Sequence, residues 1–409
     1  MIAPKLRFSE FKDEWLDYSI NDFAETVTSG SRDWAKYYSK SGDKFIRMTN
    51  LIRNGIYLNL DDLKFVNLPI DSNEGKRTSL QHGDILVSIT AELGKIGWIP
   101  NDLGTAYINQ HTALIRTNDK IDSKFLAYLL STEKYNNQIN GLNDSGAKAG
   151  LNLSTLRNFK FIASQNKKEQ TKIAEFLSAM DDKISQLSRQ LELLNQYKKG
   201  VMQKIFSQEI RFKNDNGEDF GEWDEKELNE IFDFSRGEPL SKNDLDEQGQ
   251  YDCIHYGELF TKYNEVANRI YSKTNKKANK IGKKGYILMP SSDVTPDGLA
   301  RATCLNKDEV YLGGDINVLK PKTEINSIFF SYLINSDKSR LLTCVAGTTV
   351  KHIYNKDICG LIYNFPSSIQ EQEKIAGFLT AIDERIDHTT AQLTHTKQWK
   401  KGLLQQMFI

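Results

Sequence analysis

The chain of 409 residues contains no apolar run near the roughly 18 residues that a membrane span requires, and no membrane role is expected. Cysteine is scarce: Cys253, Cys304, Cys344 and Cys359 all fall in the second half, with no Cys-x-x-Cys pair. The N-terminus, MIAPKLRFSEFKDEW, has no apolar export core. With room for a large core, free and mostly packed thiols in a cytoplasmic protein are therefore the expectation. Charge of one sign is also missing, since 54 Lys and Arg balance 54 Asp and Glu for a net charge of zero. That balance neither demands nor excludes nucleic acid, because the placement of charge decides binding.

Recognisable chemistry is equally sparse. There is no GxxxxGK[ST] phosphate loop, no GxGxxG fingerprint and no Asn-Pro-Pro-aromatic signature of an amino-methyltransferase. Gly94 and Gly97 read as turn residues. The six histidines form no ligand-like group, and His388 and His395 are seven residues apart, too far to share a metal at i, i+4. Asp181–Lys183 and Asp224–Lys226 read as surface ion pairs. No catalytic residue, metal site or cofactor is assigned to this chain.

What the sequence does have is a repeat. Residues 169–207 and 371–409 align without a gap at an offset of 202, with 18 of 39 positions identical. KIAEFLSAMDDKI (172–184) answers KIAGFLTAIDERI (374–386), and QYKKGVMQKIF (196–206) answers QWKKGLLQQMF (398–408). The spacing suits a whole domain plus a connector, so the chain is built twice. The expected division is a first domain at 1–165, a central helix at 166–208, a second domain at 209–368 and a C-terminal helix at 369–409.

Both repeated segments lack proline and carry apolar residues at heptad spacing. In the first copy the packing positions are Ile173, Leu177, Met180, Ile184, Leu187, Leu191 and Leu194; in the second they are Ile375, Leu379, Ile382, Ile386 and Leu393. Thr389, His395 and Thr396 make the middle of the second copy polar. A helix of this length extends about 60 Å. Two readings fit the seams: the helices pack on each other, antiparallel if the halves are related by an approximate twofold axis, or each packs on its own domain. Lys198 and Lys400 hold equivalent positions in the seam, either as snorkelling side chains or as register-setting polar residues.

The domains repeat more faintly. Glu14-Trp15 matches Glu222-Trp223, and GDILVSIT (83–90) matches GYILMPSS (285–292) as buried strands. Residues 113–131 match 317–336 as strand, loop and helix, whereas FIRMTNLIRNG (45–55) and CIHYGELFTKY (253–263) diverge at corresponding places. The fold expected is α/β in composition: two similar α+β domains separated by two long antiparallel coiled-coil helices, with a pseudo-twofold internal repeat. A shared scaffold with different loops suits reading two different things.

Between 262 and 284 eight basic residues face one acid, Glu265, for a local charge of 8 − 1 = +7. Lys262, Arg269, Lys273, Lys276 and Lys277 are interleaved with amides, hydroxyls and Tyr263. Such a segment either neutralises phosphates and reads base edges or forms a solvated basic loop. Arg236 and His255 are further candidates in this half; in the first half they are Ser31, Arg32, Lys36, Arg47, Arg53, Lys76 and Arg77. Two unlike domains on one chain predict an asymmetric, bipartite DNA target.

The doubled motif EQTKIAEFLSAMDDKI (169–184) and EQEKIAGFLTAIDERI (371–386), with the Glu-Trp openings and IHYGELFTKY (254–263), resembles the specificity subunits of type I restriction–modification systems. The resemblance covers essentially the whole chain. It implies two target-recognition domains, each closed by a conserved helix, in a noncatalytic subunit that reads a split site on double-stranded DNA. It further implies two modification subunits that bind S-adenosylmethionine and methylate adenine, and restriction subunits that use ATP and Mg. A self-sufficient DNA-modifying enzyme and a coiled-coil interaction protein without a nucleic-acid role are the competing readings. DNA modification by the chain alone would favour the former, and no DNA affinity even with partners the latter.

Overall fold

The structure is a computed structural model, described over residues 3–69, 72–142 and 150–408, without the side chains of Glu74 and Lys76. It divides into two compact units, Met1–Ser188 with Ala391–Ile409, and Arg189–Thr390. No helix among the described residues is long and apolar enough to cross a membrane.

In the first unit the chain GDILVSIT supplies the strand Ile85–Ser88, buried at all four positions. It pairs antiparallel with Thr112–Thr117 and Ile96–Trp98, and Ala24–Ser29 completes a four-stranded sheet. A second four-stranded sheet, of shorter strands, holds Tyr38–Ser39, Lys64–Val66, Asp43–Ile46 and Ala106–Ile108, the last pair parallel. The helix Ser123–Ser131 starts where the Asp122 carboxylate accepts from Phe125 N, and it buries Phe125 through Ser131. Trp15–Ser19 pairs with Lys160–Ser164 and so delivers the chain to the first long helix.

The second unit repeats the plan. Ile287–Pro290 is again buried throughout and lies in a five-stranded sheet with Ile316–Pro321, Phe232–Arg236, Thr303–Leu305 and Val266–Ala267. The helix Ser327–Ser336 is capped by Asn326 accepting from Phe329 N. Trp223–Glu227 pairs with Ile362–Pro366. Even the divergent segments share a turn: Arg47 N donates to Asn50 Oδ1, and His255 N donates to Glu258 Oε2, both at 2.9 Å. All four cysteines are free, Cys253 and Cys304 buried among apolar side chains whose burial pushes both thiols up to about 12.

The long helices are Lys167–Phe206 and Ile369–Met407. Asn166 Oδ1 accepts from Lys168 N at the start of the first, and Gln208 at φ 61 turns the chain away after its end. Each unit contains the first part of one long helix and the last part of the other, running antiparallel. In the first unit Ile173, Leu177 and Met180 share one core with Phe125 and Tyr128 of the domain, with Leu403 and Met407 of the other helix, and with Phe408 just after it. In the second unit Ile375, Leu379 and Ile382 share a core with Phe329, Phe330, Met202 and Ile205. The two packing schemes open in the sequence are therefore combined: each helix start covers its own domain and also meets the end of the other helix. Leu187 and Leu393 are buried, whereas Ile184, Leu191, Leu194 and Ile386 are half-buried.

The repeat extends to buried polar groups. Glu169, fully buried, is held by Arg7 Nε at 2.6 Å, and Glu371, 1% exposed, by Arg211 Nη2 at 2.8 Å. Gln170 accepts from Asp122 N and donates to Ser164 O; Gln372 accepts from Asn326 N and donates to Pro366 O. These contacts satisfy polar atoms at each helix–domain junction that would otherwise cost about 1–3 kcal/mol each.

Lys198 and Lys400 are mostly shielded from water, and neither acts alone. Lys400, 7% exposed, pairs with Asp181, which accepts from Tyr128 Oη at 2.6 Å. Lys198 pairs with Asp383, which accepts from Tyr332 Oη. The expected Asp181–Lys183 surface pair is thereby corrected: residues two apart on a helix point to different sides. Asp224 and Lys226, on a strand and so on one face, do meet, at 3.4 Å.

Candidate nucleic-acid interface

Each unit presents the same loop at the end of its larger sheet. After the strand Ala24–Ser29, Gly30 passes so close to the end of the strand Ala106–Ile108, in the second sheet, that a Cβ there would sit 2.1 Å from Ile108 O. After Phe232–Arg236, a Cβ on Gly237 would sit 2.0 Å from Gly313 O. Only glycine permits these approaches, and each brings the next residue into a parallel bridge, Ser31 with Asn109 and Glu238 with Gly313.

Around this approach the first unit gathers Ser31, exposed Arg32 and Arg77, whose Nη2 donates to Ser31 Oγ at 2.7 Å. Lys36 follows on the short 3-10 helix Trp34–Tyr37, its ammonium 4.9 Å from the Tyr37 ring centre. The Lys76 side chain lies outside the described part of the structure. Arg47 and Arg53 are engaged elsewhere. Arg47 donates to Asp62 Oδ2 at 2.7 Å, and Arg53 donates to Asn136 Oδ1 at 3.1 Å. Arg53 also lines a cleft of about 1330 Å³ with Lys134, Lys397, Lys400 and Lys401.

In the second unit Arg236 Nη2 donates to Ser291 Oγ at 2.8 Å and stands 3.7 Å from Asp315 Oδ1. The basic segment reaches this loop: Lys280 Nζ donates to Arg236 O at 3.2 Å, and Asn279 N to Glu238 Oε2 at 2.8 Å. Lys262 is neutralised by Glu258 at 2.8 Å and Lys276 by Asp244 at 3.3 Å. Among the described residues Arg269, Lys273, Lys277, Lys280, Lys283 and Lys284 form no ion pair within 4.0 Å, and all six are exposed. Arg269 lies 5.4 Å from the centre of the Tyr271 ring.

Two sequence candidates, Tyr263 and His255, lie in buried positions. Tyr263 is 4% exposed and its Oη accepts from Tyr271 N, so burial raises its phenol and commits it to the core. His255 is 7% exposed and its Nδ1 accepts from Gly257 N at 3.2 Å. Burial lowers its pKa, against the opposing pull of Glu258, and keeps the ring neutral. Both are apolar-bodied rings beside Ile254 and Leu259, where packing outweighs exposure.

Other side chains at these loops carry no sequence pattern. Gln110 and His111 stand beside Ser31 through the bond from Gln110 N to Ser31 O, and their scaffold counterparts are Gly314 and Asp315. The signal available was their position immediately before the buried strand that repeats in the other half.

A second duplicated feature lies along the helices. The 1330 Å³ cleft of the first unit is lined by Thr132, Glu133, Lys134, Lys400, Lys401 and Leu404, among others. The second unit has a cleft of about 660 Å³ lined by the counterparts Ser336, Asp337, Lys338, Lys198, Lys199 and Met202. Beside them, Trp399 is 51% and Tyr197 52% exposed at aligned positions.

Comparison with known proteins agrees with this twofold construction. A family model for the type I restriction modification DNA specificity domain matches residues 12–196 and again 221–396. The chain is 24% identical, over 98% of its length and 94% of the relative's, to a protein named as the MjaX type I restriction enzyme specificity subunit of Methanocaldococcus jannaschii. It is 25% identical to the MjaVIII specificity subunit of the same organism over 58% of each chain. A crystal structure of a type I restriction–modification S subunit from M. genitalium has the same fold, with a TM-score of 0.67 at 16% identity, covering 100% of this chain and 99% of that one. The chain, with its two matched domains and doubled helix motif, belongs to the type I restriction–modification DNA specificity family, whose members are non-catalytic specificity subunits.

Proposed function

We propose that this chain reads an asymmetric, bipartite sequence in double-stranded DNA, one domain to each half-site, and recruits modification and restriction subunits to it. The functional division is 1–165 and 209–368 for recognition, with 166–208 and 369–409 as the helices that join them. The observation that carries the reading is the duplicated glycine loop: one scaffold, the same forced backbone approach, and different hydrogen-bonding side chains in the two copies. Phosphate contacts fall to Arg32, Lys36 and Arg77 in the first domain and to Arg269, Lys273, Lys277 and Lys280 in the second.

Recruitment of two modification subunits is supported by the second duplication. A partner present twice needs the same surface twice, and the paired clefts with Trp399 and Tyr197 beside them supply it. S-adenosylmethionine belongs to those subunits, and ATP and Mg to the restriction subunits, acting together in the cytoplasm. Co-expression with the cognate modification subunits, followed by genome-wide mapping of methylated adenines, tests the reading. A split motif with two unlike halves is expected; a continuous palindrome overturns it.

A further inference from the structure

The loop preceding the strand Thr112–Thr117 holds a chain of side-chain contacts. His111 N donates to Asn109 Oδ1 at 3.2 Å and so stiffens the loop. The His111 ring lies between two side chains, its Nδ1 2.8 Å from Thr90 Oγ1 and its Nε2 3.0 Å from Gln110 Nε2. Thr90 Oγ1 in turn lies 3.9 Å from Met48 Sδ. One proton arrangement satisfies the whole chain: the Gln110 amide N–H donates to His111 Nε2, His111 Nδ1–H donates to Thr90 Oγ1, and the Thr90 hydroxyl donates to Met48 Sδ.

This relay uses one hydrogen of the Gln110 amide. Among the described residues the second N–H and the carbonyl Oε1 make no further hydrogen bond, on a half-buried side chain whose backbone is tied to Ser31, the residue that Arg77 contacts. A glutamine amide on a loop normally rotates freely; here its plane is set before any ligand arrives, which lowers the entropy lost on binding. One donor and one acceptor side by side match adenine in the major groove, where N7 accepts and N6 donates.

We infer that Gln110 is a specificity-determining residue of the first domain that reads an adenine, with His111 and Thr90 as its positioning residues. The inference rests on the DNA-reading function proposed above and goes further by naming the residue and the base. The second domain supports the contrast. Its counterpart of Gln110 is Gly314, which has no side chain, and the loop there presents Arg236, whose guanidinium donates to Ser291 Oγ and stands 3.7 Å from Asp315. A guanidinium fork matches the two acceptors of guanine instead.

The test uses the full chain assembled with its modification subunits and maps methylated motifs for wild type, Gln110→Ala and Gln110→Glu, with Arg236→Ala marking the other half-site. In the half-site that Arg236→Ala leaves unchanged, Gln110→Ala is expected to relax one adenine position, with discrimination falling about tenfold or more. Gln110→Glu replaces the donor with a second acceptor and is expected to move that position toward cytosine, whose exposed N4 group only donates. If Gln110→Ala does not assemble, Gln110→Asn, one methylene short of His111, is expected to show the same relaxation. An unchanged motif in the assembled variants overturns the assignment, and so does relaxation at a base other than adenine. A wild-type complex that methylates no split motif overturns the proposed DNA-reading function, and this assignment with it; a split motif indifferent to Gln110 overturns only the latter.

Discussion

Lys198 Nζ lies 2.7 Å from Asp383 Oδ1 while also 2.8 Å from Glu265 Oε2, so one ammonium ties the end of the first long helix to the start of the second and to a loop of the second domain. Burial alone would depress this lysine, yet the Glu265 and Asp383 carboxylates outweigh it and hold its pKa above the ordinary value. For Asp383 burial wins instead: its carboxyl is held above the ordinary value despite Lys198 and the Tyr332 hydroxyl. Replacing Lys198 with Met leaves two shielded carboxylates without their counter-charge. The expected cost is about 3 kcal/mol, near the lower end for a broken buried pair because both partners keep some water contact. Urea unfolding of Lys198→Met against wild type measures it, and an unchanged midpoint would rule the cluster out as a stabilising element.

The two loop glycines predict effects confined to one domain. An alanine at Gly30 or Gly237 forces its Cβ against a carbonyl oxygen 2.1 or 2.0 Å away, and the strands must part. Overpacking of this kind costs about 1–3 kcal/mol. Gly30→Ala should therefore weaken recognition of the first half-site only, and Gly237→Ala of the second only. Binding assays with each half-site mutated in turn check the assignment, and equal loss at both halves would contradict it.

Salt dependence reports on the basic strip. Lys273, Lys277 and Lys280 are exposed and form no ion pair among the described residues. If all three neutralise phosphates, changing them to Gln should lower the slope of log K against log salt by about 2–3, at roughly 0.9 per contact. Titrations of the assembled complex over a range of ionic strengths measure the slope. A slope equal to wild type removes the strip from the interface.

His255 sets a direction for acid sensitivity. Its folded-state pKa is lowered below the usual 6.5, chiefly by burial, with Lys242 adding to the effect and Glu258 and Asp315 opposing it. Above 6.5 the ring is neutral in both folded and unfolded chains and contributes no pH dependence. Below it the unfolded chain takes up the proton first, so stability falls as pH drops through about 6.5 and levels off beneath the folded pKa. His255→Asn should flatten that part of the profile. Thermal unfolding of the variant and wild type between about pH 7.5 and 5.5 shows whether it does.

The sequence by itself determined the duplication, the two long helices and the repeated buried strands. These rest on identity and on periodicities of 3.5 and 2 residues, which are local properties of the chain. It also showed the basic segment 262–284 by charge alone, eight basic residues against Glu265. Only the tertiary structure decided which of these side chains are free to act. Tyr263 and His255 sit in a polar, basic stretch, yet the core takes them; Asp181 reads as half of a surface pair with Lys183, yet its partner is Lys400, 219 residues away. Gln110 and His111 carry no pattern at all, because the contact between an amide and a ring depends on how a loop closes against Thr90 and Ser31. Periodicity sets which face of an element is buried, but the partner of a polar group is chosen by long-range packing, and only the folded chain brings those partners within hydrogen-bonding distance.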